Sequence, residues 1–142
     1  MVARKAHKLT FSQEYDFQLI GITSHDNDYH ICWKIDQSLD MHLIKLENLH
    51  IYNNKFKISQ DFSLYHYYDE DTVTEYHLIS NRCENGFLLE EIRNIDFLLK
   101  ISGDTDEQFL NDLTQRLRVI EGITAAFELD PSQLKSREKL IF

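Results

Sequence analysis

The chain of 142 residues is 42% hydrophobic and 27% charged, the size and balance of one globular domain with a core of its own. Its 15 basic against 24 acidic side chains leave a formal charge of -9, which repels a phosphate backbone and argues against nucleic acid as a partner. No stretch approaches the roughly 20 apolar residues that span a bilayer, Met1 to Lys8 are basic without a signal peptide's apolar run, and the isolated Cys32 and Cys83 build neither a disulfide framework nor a zinc ribbon; a cytoplasmic protein with reduced thiols is expected.

One proline and four glycines leave no flexible linker and no low-complexity segment. A single domain over 1–142 is expected, with 1–8 and 132–142 as terminal extensions. Leu9, Phe11, Tyr15, Phe17 and Leu19 alternate with polar neighbours, while Ile20 and Ile22 are apolar on the opposite parity. That pattern predicts a first strand near Asp16 to Thr23, buried on both faces. Ser24, Asp26 or Asp28 can cap a following helix over about Asn27 to Leu39, whose Ile31, Cys32, Ile35 and Leu39 recur at helical spacing. Met41 to Gln60 holds neither period over a useful length, and only a short element is expected there.

Phe62 to Tyr68 and Val73 to Ser80 are rich in aromatic and β-branched residues and flank Asp69-Glu70-Asp71-Thr72, which predicts a hairpin. A two-residue turn at Glu70-Asp71 sets Tyr65 opposite Tyr76, His66 opposite Glu75 and Leu64 opposite His77. Asn85-Gly86 predicts a second turn, leading through Phe87-Leu88-Leu89 to a strand over Ile95 to Ile101. Asp104 or Thr105, with Gln108 completing a capping box, then opens a helix whose Phe109, Leu110, Leu113, Leu117 and Ile120 form one apolar stripe. Gly122 can end it. Ile123 to Leu129 reads as the last strand, closed by Pro131. The order β-α-(short element)-β-β-β-α-β predicts an α+β fold, a ferredoxin-like variant with two helices on one face of a mainly antiparallel sheet. Such a fold selects no function.

The paired acids before the Ile95 strand, and Asp96 within it, invite a functional reading. Leu89-Glu90-Glu91-Ile92-Arg93-Asn94-Ile95-Asp96-Phe97 resembles the signature of the IPExxxVDY family, a bacterial family without an assigned activity. Leu89 stands for its Ile, Glu91 for its Glu, Ile95 for its Val, Asp96 for its Asp and Phe97 for its Tyr. Glu90 departs from the pattern by replacing the proline, which frees a backbone N–H. The likeness extends to Phe17 to Ile22, Tyr29 to Trp33, Ala125 to Glu128 and Lys135 to Phe142. It implies a housekeeping cytoplasmic role and transfers no mechanism.

Brought together, Glu91 and Asp96 could act as acid and base, because a shared site drives two carboxyl pKa values apart. Strand alternation instead sets Ile95, Phe97, Leu99 and Ile101 on one face and Asp96, Leu98 and Lys100 on the other, so Asp96 reads as a residue of the wetter face. Were it buried, its donors would be Arg93, Arg82 or backbone N–H groups. Architectural carboxylates are the expectation for both acids. His25, Asp26, Asp28 and His30, and the hairpin pair His66 and His77, tempt a metal reading, but spacing fixes no third and fourth ligand. Neither a metal nor another cofactor is expected. Adjacency does not make Ser24-His25-Asp26 a triad, Cys83 beside Arg82 reads as an idle thiol, and scattered glycines cradle no phosphate.

Tyr29 and Trp33 lie one helical turn apart, offset from the buried stripe, and Tyr65, Tyr67 and Tyr76 share one hairpin face. These aromatics and Phe142 are the candidate contacts for a protein partner or a homodimer. The closing Leu140-Ile141-Phe142 either docks back on the domain or anchors a partner. A noncatalytic interaction or regulatory domain is the leading reading. Its alternatives are an ACT-like small-ligand sensor, which a polar pocket near Asp96 would favour, and a small enzyme using Glu91 and Asp96.

Overall fold

The computed structural model describes residues 16–142; the basic 1–8 extension and the alternating Leu9, Phe11 and Tyr15 lie outside the described residues. Strand β1 (Gln18–Ser24) leads into helix α1 (Asp28–Leu39), then β2 (Ile44–Lys45), β3 (Leu49–Asn53), β4 (Ile58–Phe62), β5 (Leu64–Asp69) and β6 (Thr74–Ser80). Two short arms, β7 (Arg82–Cys83) and β8 (Gly86–Phe87), precede a 3-10 turn over Glu90–Ile92. Strand β9 (Phe97–Gly103), helix α2 (Glu107–Arg118) and β10 (Ile123–Leu129) follow, and 3-10 turns over Pro131–Gln133 and Arg137–Leu140 close the chain.

Six strands form one antiparallel sheet in the order β10-β1-β9-β6-β5-β2. Its β10-β1-β9-β6 portion has the split β-α-β arrangement of the ferredoxin-like fold, and β5 and β2 widen it on one side. The fold is α+β, as expected. Both helices pack on one sheet face. There Ile31, Ile35, Leu113 and Leu117 meet Ile20, Ile22, Leu78, Leu99 and Ile101.

The other face is also buried, because Leu19, Leu64, Ile79 and Leu98 are covered by Phe62, Leu88, Leu89, Ile95, Leu134 and Leu140. Each such side chain contributes about 1.5–3 kcal/mol when fully removed from water. Gly21 belongs to this face, where a Cβ would lie 3.0 Å from Leu129 Cδ1 and 3.1 Å from Ile95 Cδ1; only glycine lets β1 run that close beneath them. The second layer corrects the reading of Asp96 and Lys100 as a wet face, since both are buried. It also corrects Ile95, which precedes the strand and joins the second layer rather than the Phe97 side.

Local chemistry explains the other departures. Asn27 caps α1 by accepting from the His30 N–H at 3.0 Å, and Asp106 caps α2 by accepting from Phe109 N–H at 2.9 Å. Neither cap is one of the predicted residues, and Gln108 bonds Asp112 instead of closing a capping box. The β5–β6 register is slipped by two residues from the predicted one, so that His66 faces His77 and Tyr67 faces Tyr76. Asp69 Oδ1 accepts the Asp71 N–H and Val73 takes a positive φ, making a four-residue loop where a two-residue turn was expected. The even slip keeps every side chain on its predicted face. The ambiguous 41–60 stretch holds β2, β3 and most of β4, and the second turn falls on Glu84-Asn85, one residue before the predicted place.

Candidate functional site

The chain from Ser80 to Asp96 is organised by Asn81, a fully buried side chain. Its Oδ1 accepts the Leu89 N–H at 2.8 Å, and its Nδ2 donates to the carbonyls of Ile92 (3.1 Å) and Ile95 (2.9 Å). Backbone bonds from Asn81 N–H to Asp96 O and from Leu88 N–H to Asn81 O complete the knot. Glu90 starts the enclosed 3-10 turn, the position where a proline's missing N–H costs nothing.

Asp96 is held at the junction of three segments. Its backbone N–H donates to Ile22 O at 2.9 Å, its Oδ2 accepts the Ser24 N–H at 2.8 Å, and its Oδ1 pairs with Arg82 Nε at 2.5 Å. The donors are two of those anticipated for a buried acid. Glu91 faces elsewhere, accepting the Ser136 N–H at 2.8 Å and the Ser136 hydroxyl at 3.2 Å. Burial pushes the Glu91 carboxyl up, but the Ser136 donors outweigh it and hold the group below its ordinary value. The two acids line different cavities. The structure does not bring them together as an acid–base pair.

A polar cavity of about 370 Å3 opens beside Asp96, where the end of β1 turns into α1. Ser24, Asp28, Ser63, Arg82 and Asp96 line it, with His25 exposed at its border. Asp28 accepts from the Tyr65 hydroxyl at 3.2 Å. Burial opposes its charge, yet hydrogen bonds from Ser63, the Tyr29 backbone and Tyr65 lower its pKa, so it is ionised at neutral pH. Asp26 turns to Lys34, 2.8 Å away, and that bond lowers its pKa. Ser24 Oγ donates to Gly122 O at 2.6 Å and accepts the Asp26 N–H. Ser24 and Asp26 thus have separate partners, His25 is exposed, and the three form no triad relay. The cavity offers a fixed anion, Asp28, and a guanidinium, Arg82, within one polar lining.

The predicted aromatic contacts divide. Tyr29 and Trp33 are 68% and 59% exposed on the outer side of α1, open to a partner. Tyr65 and Tyr76 lie under the helices, and Tyr67 is half-buried, stacked on Tyr76. They share one hairpin face as expected, but that face is core, which removes Tyr65 and Tyr76 as contact residues. Phe142 packs edge-on against His77 and under Lys100 Nζ, so the tail's end meets its own sheet.

Sequence spacing missed two features. Asn81 carries no local signal, because a lone Asn before Arg reads as a turn residue. The other is that Glu75 joins the anticipated hairpin pair His66 and His77 in one cluster, with potential ligand atoms within 4.8 Å of one another; the predicted register sets Glu75 opposite His66 but places His77 opposite Leu64, and only the true register brings all three together. The set read from helical spacing, His25, Asp26, Asp28 and His30, forms no such cluster among the described residues. Compared with protein-family models, with curated proteins and with solved structures, the chain has no match in any of the three.

Proposed function

We propose that this chain is a noncatalytic cytoplasmic regulatory domain. In this reading the cavity at the head of α1 takes a small polar ligand, and the Tyr29–Trp33 side of the same helix carries the protein contact. The observation that carries the reading is the cavity itself, about 370 Å3 and lined by ionised Asp28, Arg82 and the Ser24 and Ser63 hydroxyls. That volume lies within the usual range for small-molecule sites, roughly 300–1,000 Å3. An amino group suits Asp28 and an anionic group suits Arg82, whose planar donors favour carboxylate or phosphate. Within that lining the Ser24 hydroxyl is committed to Gly122 and the Asp96 carboxylate to Arg82 and Ser24, which favours binding over chemistry at these two groups.

Resemblance to the IPExxxVDY family fits the same picture. Leu89, Ile95 and Phe97 are core residues, Asp96 pins β1, and Glu91 holds the tail. These contacts support reading Glu91 and Asp96 as structural carboxylates. The cytoplasmic assignment is supported by the two unpaired cysteines; among the described residues no helix is long and apolar enough to cross a membrane.

The test is a mild native pull-down of the tagged chain from its own host, analysed for small molecules and proteins, with Arg82→Ala and Trp33→Ala in parallel. A small molecule retained by wild type and lost from Arg82→Ala supports the ligand site. A protein retained by wild type and lost from Trp33→Ala supports the α1 contact. Wild-type protein that returns neither overturns the proposal.

A further inference from the structure

We propose that His66, Glu75 and His77 form a binding site for a zinc-class divalent cation on the sheet face away from the helices. The register places His66 directly opposite His77 and sets Glu75 two residues along β6 on the same face. The imidazole centroids are 4.8 Å apart, and His66 Nε2 lies 2.8 Å from Glu75 Oε2.

The second observation is independent of the clustering. His77 is 8% exposed, and its Nδ1 is the one buried side-chain polar atom among the described residues without a hydrogen-bond partner. An orphaned buried group costs about 1–3 kcal/mol, and one kept in a folded chain calls for an unseen partner. Two imidazoles and one carboxylate make the donor set of zinc sites that keep a fourth position open. Metal bonds of about 2.0–2.2 Å require the ligand atoms to draw together from their present span. Glu75 and His66 are only half-buried, so side-chain rotation can supply that closure.

Lys100, which faces His77 from β9, places a cation beside the site. Its ammonium is held on Leu140 O at 2.6 Å and over the rings of Phe17 and Phe142. That charge lowers the affinity, and a neutral replacement is expected to raise it about tenfold or more.

The test uses untagged full-length protein, stripped with chelator and titrated calorimetrically with Zn2+, with Co2+ absorption as a report of the ligand set. One equivalent is expected to bind, at least about tenfold more weakly in His66→Ala and in Glu75→Gln. His30→Ala and His50→Ala, whose rings pair with Asp26 and Asp61, are expected to bind as wild type does, and Lys100→Gln more tightly. His66 and Glu75 reach the surface, so their variants keep the test decisive if His77→Ala does not fold. Absence of saturable binding, or binding untouched by His66→Ala and Glu75→Gln, overturns the proposal and leaves an enclosed water as the partner of Nδ1.

Discussion

Asn81 shows how much one uncharged side chain can hold. Its amide supplies one acceptor and two donors to backbone groups that have been taken out of water, and each orphan left behind costs about 1–3 kcal/mol. Asn81→Ala is therefore expected to lower unfolding free energy by about 3 kcal/mol or more in urea denaturation. Asn81→Asp keeps the bond to Leu89 N–H but presents an acceptor to two carbonyls, and is expected to recover little. Asp96→Asn should be milder, about 1–2 kcal/mol, because Arg82 is 58% exposed on its side chain and rehydrates when its partner loses charge. A larger loss for Asp96→Asn than for Asn81→Ala would contradict this ranking. At this scale the sequence was half legible. Composition names the donors available to a buried Asp96, but its burial depends on segments that only the fold brings together, the Ser24 N–H that it accepts being 72 positions away.

Among the elements, those with a strong period were readable and those made by pairing were not. The α2 stripe and the bounds of β10 follow from patterning, since Leu110, Leu113 and Leu117 repeat at 3.6 and Ile123 to Leu129 ends at Asp130-Pro131. Strands β3 and β4 resisted because they are half solvent-facing and lean on each other; His50 pairs with Asp61 across them. The hairpin's faces were readable and its register was not, because an Asx-turn at Asp69 lengthens the loop without changing parity.

The tail is the element with the sharpest expected behaviour. Glu91 has a folded pKa below the ordinary 4.5, so its stabilising bond to Ser136 is fully present above that ordinary value and is lost as pH falls through the depressed one. Acidification is expected to release 134–142 before the sheet unfolds, read as lower amide-exchange protection factors at Leu140 and Ile141 after correction for the intrinsic pH dependence of exchange. Glu91→Gln should lower those protection factors at neutral pH and leave them nearly flat with pH. Leu140→Ala, at a site with 0% exposure, is expected to cost about 2–5 kcal/mol by chemical denaturation.

For the whole molecule, the two apolar layers share one sheet, so they are expected to melt as one unit. Trp33, the only tryptophan, reports from the helix face. Phe62 fills the opposite layer. Phe62→Ala should shift the Trp33 fluorescence transition and the far-ultraviolet transition together, by about 3–5 kcal/mol; a Trp33 transition left in place would show that the layers melt separately. The exposed side of the sheet ends on β10, where Arg118 Nε donates to Ala126 O at 2.7 Å and occupies an edge acceptor that another strand would otherwise seek.

The position of β1 between β10 and β9 also governs how the chain is made. Its second neighbour is not complete until about 105 residues after Ser24 have been translated, about 5–20 s at ordinary elongation rates. Until β9 has been made, Gln-Leu-Ile-Gly-Ile-Thr-Ser leaves the ribosome as an apolar ribbon with both rims open, and until β10 follows one rim stays open. Nascent-chain holdases are the natural guardians of such a segment, and slower decoding downstream of β1 lengthens the exposure that they must cover.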